Sequence, residues 1–134
     1  MNQKAQVSIE FLLVFVALLG FVSVFSHFFS ELQEAAKFGL DLKNAQRFVS
    51  DVKSFSETLE FLGEGSGKSF SYKVMNSWSF SGGPGNCILV VSTERGNSSE
   101  LRLPESVSCE PRGPFTEELS LSLKKTGSGL VLSD

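Results

Sequence analysis

Residues 6–29 read QVSIEFLLVFVALLGFVSVFSHFF, a long and predominantly apolar stretch. Between residues 11 and 29 the polar side chains are those of Ser23, Ser26 and His27. An α-helix rises about 1.5 Å per residue, so residues 11–29 span about 28 Å, close to the hydrocarbon thickness of a bilayer. The stretch therefore predicts a helix that can cross a membrane.

Two common kinds of N-terminal segment compete for this run. A cleaved secretory signal has an apolar region of only about 7–15 residues, followed by a small-residue cleavage site. The run here is longer, and residues 28–31, which read FFSE, make a poor site of that kind. A plain signal anchor fits the length. Lys4 and the α-amine would then hold the N-terminal end in the cytoplasm, by the positive-inside tendency.

A third interpretation comes from the residues at the start of the run. After a short polar leader, Gln6, Ser8, Glu10 and Phe11 follow the pattern Q-x-S-x-E-F. This pattern closely resembles the class III signal peptides of archaeal type IV pilin-like proteins, and the resemblance covers about the first thirty residues. It implies that a membrane peptidase cuts between Ala5 and Gln6 and leaves the hydrophobic helix on the mature protein.

The resemblance also implies a role for Glu10, whose carboxylate would lie near the N-terminal amine of a neighbouring subunit. Cleavage would create that amine at Gln6, four residues earlier and on the same helical face. A single charge in hydrocarbon is costly, whereas a paired charge is tolerated. The alternative is that Glu10 lies at the membrane surface and extends into water. In the context of Gln6 and Ser8 we favour the pairing.

Beyond Phe29 the pattern becomes that of an amphipathic helix, because apolar residues recur at steps of three or four. The predicted stripe is Leu32, Ala35, Phe38, Leu42, Ala45, Val49, Val52, Phe55, Leu59 and Leu62. Helix is predicted from Ser8 to Leu62, ending at the glycine-rich residues 63–67, with Gly20 and Gly39 as the easiest points for a bend. The stripe either covers the C-terminal domain or forms a coiled-coil dimer stalk.

The C-terminal half alternates short apolar runs with turn residues, which is typical of β-strands. Strands are predicted at residues 69–80, 87–91, 100–103, 106–109, 118–124 and 130–132. No second helix is evident, so no βαβ unit is expected. The predicted fold is α+β, in which a long N-terminal helix packs against a small antiparallel sheet of four to six strands. The predicted segments are a leader (1–5), a hydrophobic helix (6–30), its amphipathic continuation (31–62) and an extracellular β domain (68–134).

Two features of the β domain bear on its environment. Cys87 and Cys109 are the chain's two cysteines, and export to an oxidising compartment favours a disulfide over two free buried thiols. Such a bridge closes a loop of about 22 residues and stabilises the fold by roughly 3 kcal/mol. Asn97, Ser98 and Ser99 form an N-x-S sequon in a predicted turn. Asn97 is therefore a candidate glycan site, although such triplets also occur by chance.

Several classes of function lack support in the sequence. The net charge is −3 and the basic residues are scattered, so no nucleic-acid partner is expected. Neither a metal site nor a cofactor site is predicted, since two cysteines without neighbouring histidines do not make a zinc site. His27 is interpreted as an interfacial residue, and Trp78 and Phe80 as packing residues. With no catalytic constellation, we do not expect an enzyme.

The resemblance and the helix together predict a structural subunit, either major or minor, of an archaeal type IV pilus-like filament. Its partners would be other pilin subunits and the prepilin peptidase, and it would lie in the membrane before assembly and at the cell surface afterwards. The alternative is a single-span membrane-anchored protein whose extracellular β-rich domain is a binding module. A secreted enzyme is a distant third.

Overall fold

The computed structural model describes residues 7–134. The long N-terminal helix, α1, is Gln3–Leu59. Seven strands follow: β1 Gly67–Lys73, β2 Ser77–Ser81, β3 Ile88–Ser92, β4 Ser98–Arg102, β5 Val107–Cys109, β6 Glu118–Thr126 and β7 Gly129–Ser133. The predicted α+β fold is confirmed. The chain divides into two compact units, residues 1–36 and 37–134, which we call the stem and the β domain. The C-terminal part of α1 thus belongs to the β domain.

The strands of the β domain form two sheets rather than the single sheet expected. Sheet A has the order β1-β6-β7-β5, and sheet B has the order β2-β3-β4. All neighbours are antiparallel except β5 and β7, which are parallel, with Val107 opposite Leu130. The expectation of a wholly antiparallel sheet was therefore wrong at this edge. A three-residue strand carries too short a pattern to reveal its partner or direction.

The predicted strand at residues 69–80 is in fact two strands, one in each sheet, and Asp41 of α1 explains the break. The Asp41 carboxylate accepts hydrogen bonds from the backbone N–H of Met75 at 3.2 Å and of Asn76 at 3.0 Å. The side-chain amide of Asn76 donates a third bond to it at 3.2 Å. These two residues connect β1 to β2, so the carboxylate fixes the chain where it leaves one sheet for the other.

Phe48 of α1 is the centre of the core between the helix and the two sheets. Its ring centroid lies 5.5–6.2 Å from those of Phe70, Tyr72, Trp78 and Phe80, which come from β1 and β2. These are the separations at which aromatic pairs attract one another. The prediction that the aromatic residues of β2 pack in the interior is confirmed, because both are buried.

The buried face of α1 is rotated from the predicted stripe. Its fully buried members within the β domain are Asp41, Ala45, Phe48, Val52 and Leu59. The predicted members Leu42 and Val49 are only half-buried, and Leu32, Ala35 and Leu62 are exposed. Successive residues lie about 100° apart around a helix axis. The predicted stripe, which includes Val49 instead of Phe48, is therefore centred to one side of the buried face. The chain's own sheets cover the face, which leaves it no place in a coiled-coil seam.

Lys125 of β6 supplies the cation that the C-terminal end of α1 lacks. The last turn of the helix contains no basic residue, but the Lys125 Nζ donates to the carbonyls of Glu60 at 2.9 Å and Leu62 at 2.7 Å. A cation at a helix C-terminus is favourable because the terminal carbonyls carry partial negative charge. The helix therefore ends three residues earlier than predicted, in a turn that β6 holds.

Candidate functional site on the N-terminal helix

The apolar side chains of the stem are exposed all the way around the helix. Every side chain from Val7 to Gln33 is exposed, including that of Phe11, 71% of whose surface is accessible. No residue in the most apolar part of α1 is buried within the chain, and the helix is long and apolar enough to cross a membrane. A helix that is apolar on every side requires an apolar environment. In this chain the stem does not find that environment among its own residues.

The polar groups within the apolar run are satisfied by the helix itself. The Ser23 hydroxyl donates to the carbonyl of Leu19 at 3.0 Å, and the Ser26 hydroxyl donates to the carbonyl of Val22 at 2.8 Å. A helix also pairs its own backbone groups, which is why it can enter a medium without water. These serines are therefore compatible with hydrocarbon surroundings and do not interrupt the span.

At the start of the run, Ser8, Glu10 and Phe11 all have exposed side chains on α1. Each of these predicted assembly residues is thus available to a partner outside the chain. The predicted processing site between Ala5 and Gln6 lies outside the described residues.

At the other end of the run, a polar pair marks the change of environment. His27 Nε2 lies 3.7 Å from Glu31 Oε1, one helical turn further on, and both side chains are exposed. The interpretation of His27 as an interfacial residue stays a prediction. Between Glu10 and Glu31, His27 is the one ionisable side chain in the sequence.

The β domain contains a second set of predicted residues, the two cysteines and Asn97. Cys87 and Cys109 form the predicted disulfide, with their Cα atoms 5.8 Å apart. The bridge joins the residue before β3 to the last residue of β5, and so ties sheet B to sheet A. Asn97 is exposed in the turn between β3 and β4.

Asp41 is the residue that sequence reasoning missed. It is not a member of the predicted apolar stripe, yet it is 0% exposed in the structure. A signal was available, because Phe38, Asp41, Ala45 and Phe48 follow one another at steps of three, four and three. A carboxylate in such a series predicts that backbone donors from another element come to meet it.

The described residues offer little for catalysis. Among residues 7–134 no group of three or more His, Cys, Asp and Glu side chains could hold a metal ion. A depression of about 240 Å³ beside the disulfide is lined by Phe80, Ser81, Gly82, Cys109, Pro111 and Arg112. The one cysteine in this lining is oxidised, and the lining has no carboxylate or imidazole that could act as a general base for the Ser81 hydroxyl.

Comparison of the chain with protein families, with curated proteins and with solved structures gives no match to any of them.

Proposed function

We propose that this protein is a pilin-like structural subunit, cut before Gln6 and assembled through its stem into a surface filament. The observation that carries the proposal is the combination of a fully exposed apolar helix with one carboxylate, Glu10, near its start. The motif Q-x-S-x-E-F, in which Glu10 is the acidic residue, resembles the archaeal class III signal peptides.

The exposed stem supports both proposed states of the protein, the membrane precursor and the assembled filament. Before assembly, its apolar side chains would face the hydrocarbon of the membrane. In a filament, the same side chains would pack against the stems of other copies, away from water. Burial of apolar surface is worth about 25 cal/mol per Å², so a helix exposed on all sides is strongly driven into either environment.

Glu10 supports assembly over simple anchoring. A carboxylate placed inside an apolar helix opposes insertion and needs a compensating partner. The amine released at Gln6 of a neighbouring stem would be such a partner, and the pair would favour one register between subunits over others. In a plain anchor the carboxylate has no such role.

The disulfide supports an extracellular β domain. Disulfides persist in oxidising compartments and are rare in the cytosol. Lys4 on the leader favours a cytoplasmic N-terminus, which would place the β domain on the opposite side of the membrane.

The direct test is the N-terminus of the chain recovered from native membranes and from sheared surface material. Intact mass and N-terminal sequencing are expected to show a chain that has lost Met1 to Ala5. An intact leader in both fractions would overturn the proposal.

A matched pair of variants tests the role of the carboxylate. E10Q is expected to be processed and to remain in the membrane, with little protein in the filament fraction. E31Q makes the same chemical change beyond the apolar run and is expected to assemble normally. Normal filament yield from E10Q would argue against the charge pairing.

The second candidate is a single-span anchor carrying a binding module, which the membrane-spanning length of the stem also favours. It predicts that E10Q and the wild type behave alike, with both in the membrane at full yield, because an anchor has no assembly step that needs the carboxylate. It also predicts no protein in sheared surface material, whichever variant is expressed.

A further inference from the structure

β4 is an end strand of sheet B, and the direction of its backbone groups can be read from two hydrogen bonds. The Asn97 carbonyl, just before β4, accepts from the N–H of Thr93 at 2.8 Å. The N–H of Leu103, just after β4, donates to the carbonyl of Cys87 at 2.9 Å. Backbone groups alternate in direction along a strand. The odd-numbered residues from 97 to 103 therefore face β3.

The even-numbered residues Ser98, Glu100 and Arg102 consequently turn their N–H and C=O groups to the outer side of β4. An edge of this kind is a template on which another chain can add a strand. Charged side chains discourage such pairing, and Glu100 and Arg102 are both charged and exposed. Ser98, at the turn end of the edge, has no charge.

The opposite edge of sheet B is protected by the chain itself. In β2 the N–H of Phe80 donates to the carbonyl of Arg112 at 3.0 Å, and Trp78 exchanges two backbone hydrogen bonds with Phe115 at 2.8 and 2.9 Å. Residues 112–115 thus cover this side. Of the two edge strands of sheet B, β4 is therefore the one that needs another form of protection.

Asn97 lies at the uncharged end of that edge. It follows Gly96, whose φ of +87° forms the turn, and its N–H donates to the Thr93 hydroxyl at 3.2 Å. The backbone of Asn97 is therefore held in place while its side chain is exposed. Asn97, Ser98 and Ser99 form the one N-x-S/T triplet in the sequence.

We propose that Asn97 carries an N-linked glycan and that this glycan shields the open edge of β4. In the transfer, Asn97 Nδ2 forms a bond to the anomeric carbon of an oligosaccharide carried on a lipid-linked phosphate. The bond from that carbon to the phosphate oxygen breaks, the lipid phosphate leaves, and the amide gives up one proton. The proposal rests on the proposed function only in requiring the β domain to lie outside the cytoplasm.

The modification is tested by mass spectrometry of the chain from its native membrane or filament fraction. Trypsin releases residues 96–102, a peptide in which Asn97 is the one asparagine. We expect this peptide to carry the mass of an oligosaccharide. S99A destroys the sequon and is expected to remove that mass, whereas S98A and S99T keep the sequon and should retain it. An unmodified wild-type peptide overturns the proposal.

The shielding is tested by the self-association of the full chain in detergent, measured by light scattering at matched concentration. S99A is expected to associate several-fold more than S98A, because its edge is uncovered. E100P added to S99A removes an outward N–H donor and should reverse the increase. The fluorescence of Trp78 verifies that each variant is folded. Equal association of S99A and S98A would show that the glycan does not protect the edge.

The two proposals fail separately. A chain that is cut before Gln6 but has an unmodified Asn97 would leave the pilin-like function in place and remove the glycan. A glycan on a chain with an intact leader would do the reverse.

Discussion

The two parts of α1 treat their apolar side chains in opposite ways. In the stem, Phe11 and Val24 are each 71% exposed, whereas in the β domain Phe48 and Val52 are completely buried. The secondary structure is the same in both parts, so helix formation does not account for the difference. The β domain part packs on sheets from its own chain, whereas the described side chains of the stem from Val7 to Gln33 are exposed.

The apolar side chains of the two parts of α1 are therefore buried in different ways. Burial of the β domain part stabilises the fold of a single chain, and burial of the stem becomes available only in a membrane or in an assembly. Substitutions in the β domain part should therefore change the stability of the β domain, and substitutions in the stem should change filament yield without changing that stability. Four experiments test this separation, beginning with the largest expected effect.

The largest effect is expected from removing the central aromatic ring of the β domain. F48A deletes a fully buried side chain that contacts rings of both β1 and β2, and such changes cost about 3–5 kcal/mol. Since single domains are stable by only about 5–15 kcal/mol, much of the stability would be lost. Urea unfolding of the full chain in detergent, followed through Trp78, measures the change.

F15A is the matched control, because it removes the same ring from the stem. It is expected to leave the unfolding midpoint of the β domain unchanged and to reduce filament yield. Equal destabilisation by F15A and F48A would mean that the two parts of α1 are not energetically separate.

The second experiment removes the disulfide. A loop of this size predicts a loss of roughly 3 kcal/mol when Cys87 and Cys109 are both replaced by alanine. Reductant should lower the unfolding midpoint of the wild-type chain and have no effect on the double variant. A wild-type midpoint that does not respond to complete reduction, verified by thiol titration, would contradict the prediction.

The third experiment concerns the buried carboxylate of Asp41. D41A leaves the backbone N–H groups of Met75 and Asn76 without their acceptor, which costs about 1–3 kcal/mol. The connection between β1 and β2 should loosen, and trypsin should cut faster after the exposed Lys73. D41N keeps one acceptor oxygen and should lie between D41A and the wild type. K43A, an exposed change on the same helix, is expected to have no effect.

The smallest effect involves Tyr72, whose hydroxyl donates a hydrogen bond to the Asp51 carboxylate. Burial, followed by this bond and the negative charge of Asp51, raises the pKa of Tyr72 from 10.0 to about 12. A raised pKa means that the folded chain holds the proton more tightly than the unfolded chain. The resulting stabilisation is complete below pH 10 and is lost as the pH rises towards 12.

Y72F lacks the ionising group, so its stability should fall less than that of the wild type between pH 10 and 12. Urea midpoints of the two proteins at pH 8, 10, 11 and 12 measure the difference. Parallel loss of stability in both proteins would exclude Tyr72 as its source.

Much of the β domain follows from local patterns. The strands near residues 88–92, 107–109, 118–126 and 129–133 were predicted within about two residues, because alternation and turn residues are properties of short segments. The distribution of strands between two sheets was not predicted. It depends on contacts with distant residues, such as those of Asp41 with the connection between β1 and β2.

The candidate site divides in a similar way. The apolar stem and its one carboxylate near the start were predictable, because hydropathy and helical periodicity are properties of a contiguous segment. The burial of Phe48 and Asp41 was not, because a helix with apolar residues on neighbouring faces can turn either face inward. The aromatic rings of β1 and β2 and the donors of Met75 and Asn76 select between those faces.

Local sequence alone was enough to predict a long helix with an apolar and an amphipathic part, a β-rich C-terminal half and a disulfide between the two cysteines. Those properties depend on local spacing and composition, which survive without any knowledge of the fold. The tertiary structure alone decided which face of α1 is buried, how the strands are shared between two sheets and which edge of sheet B stays open. Each of these depends on residues far apart in the chain, whose contacts form only when the helix and both sheets pack together.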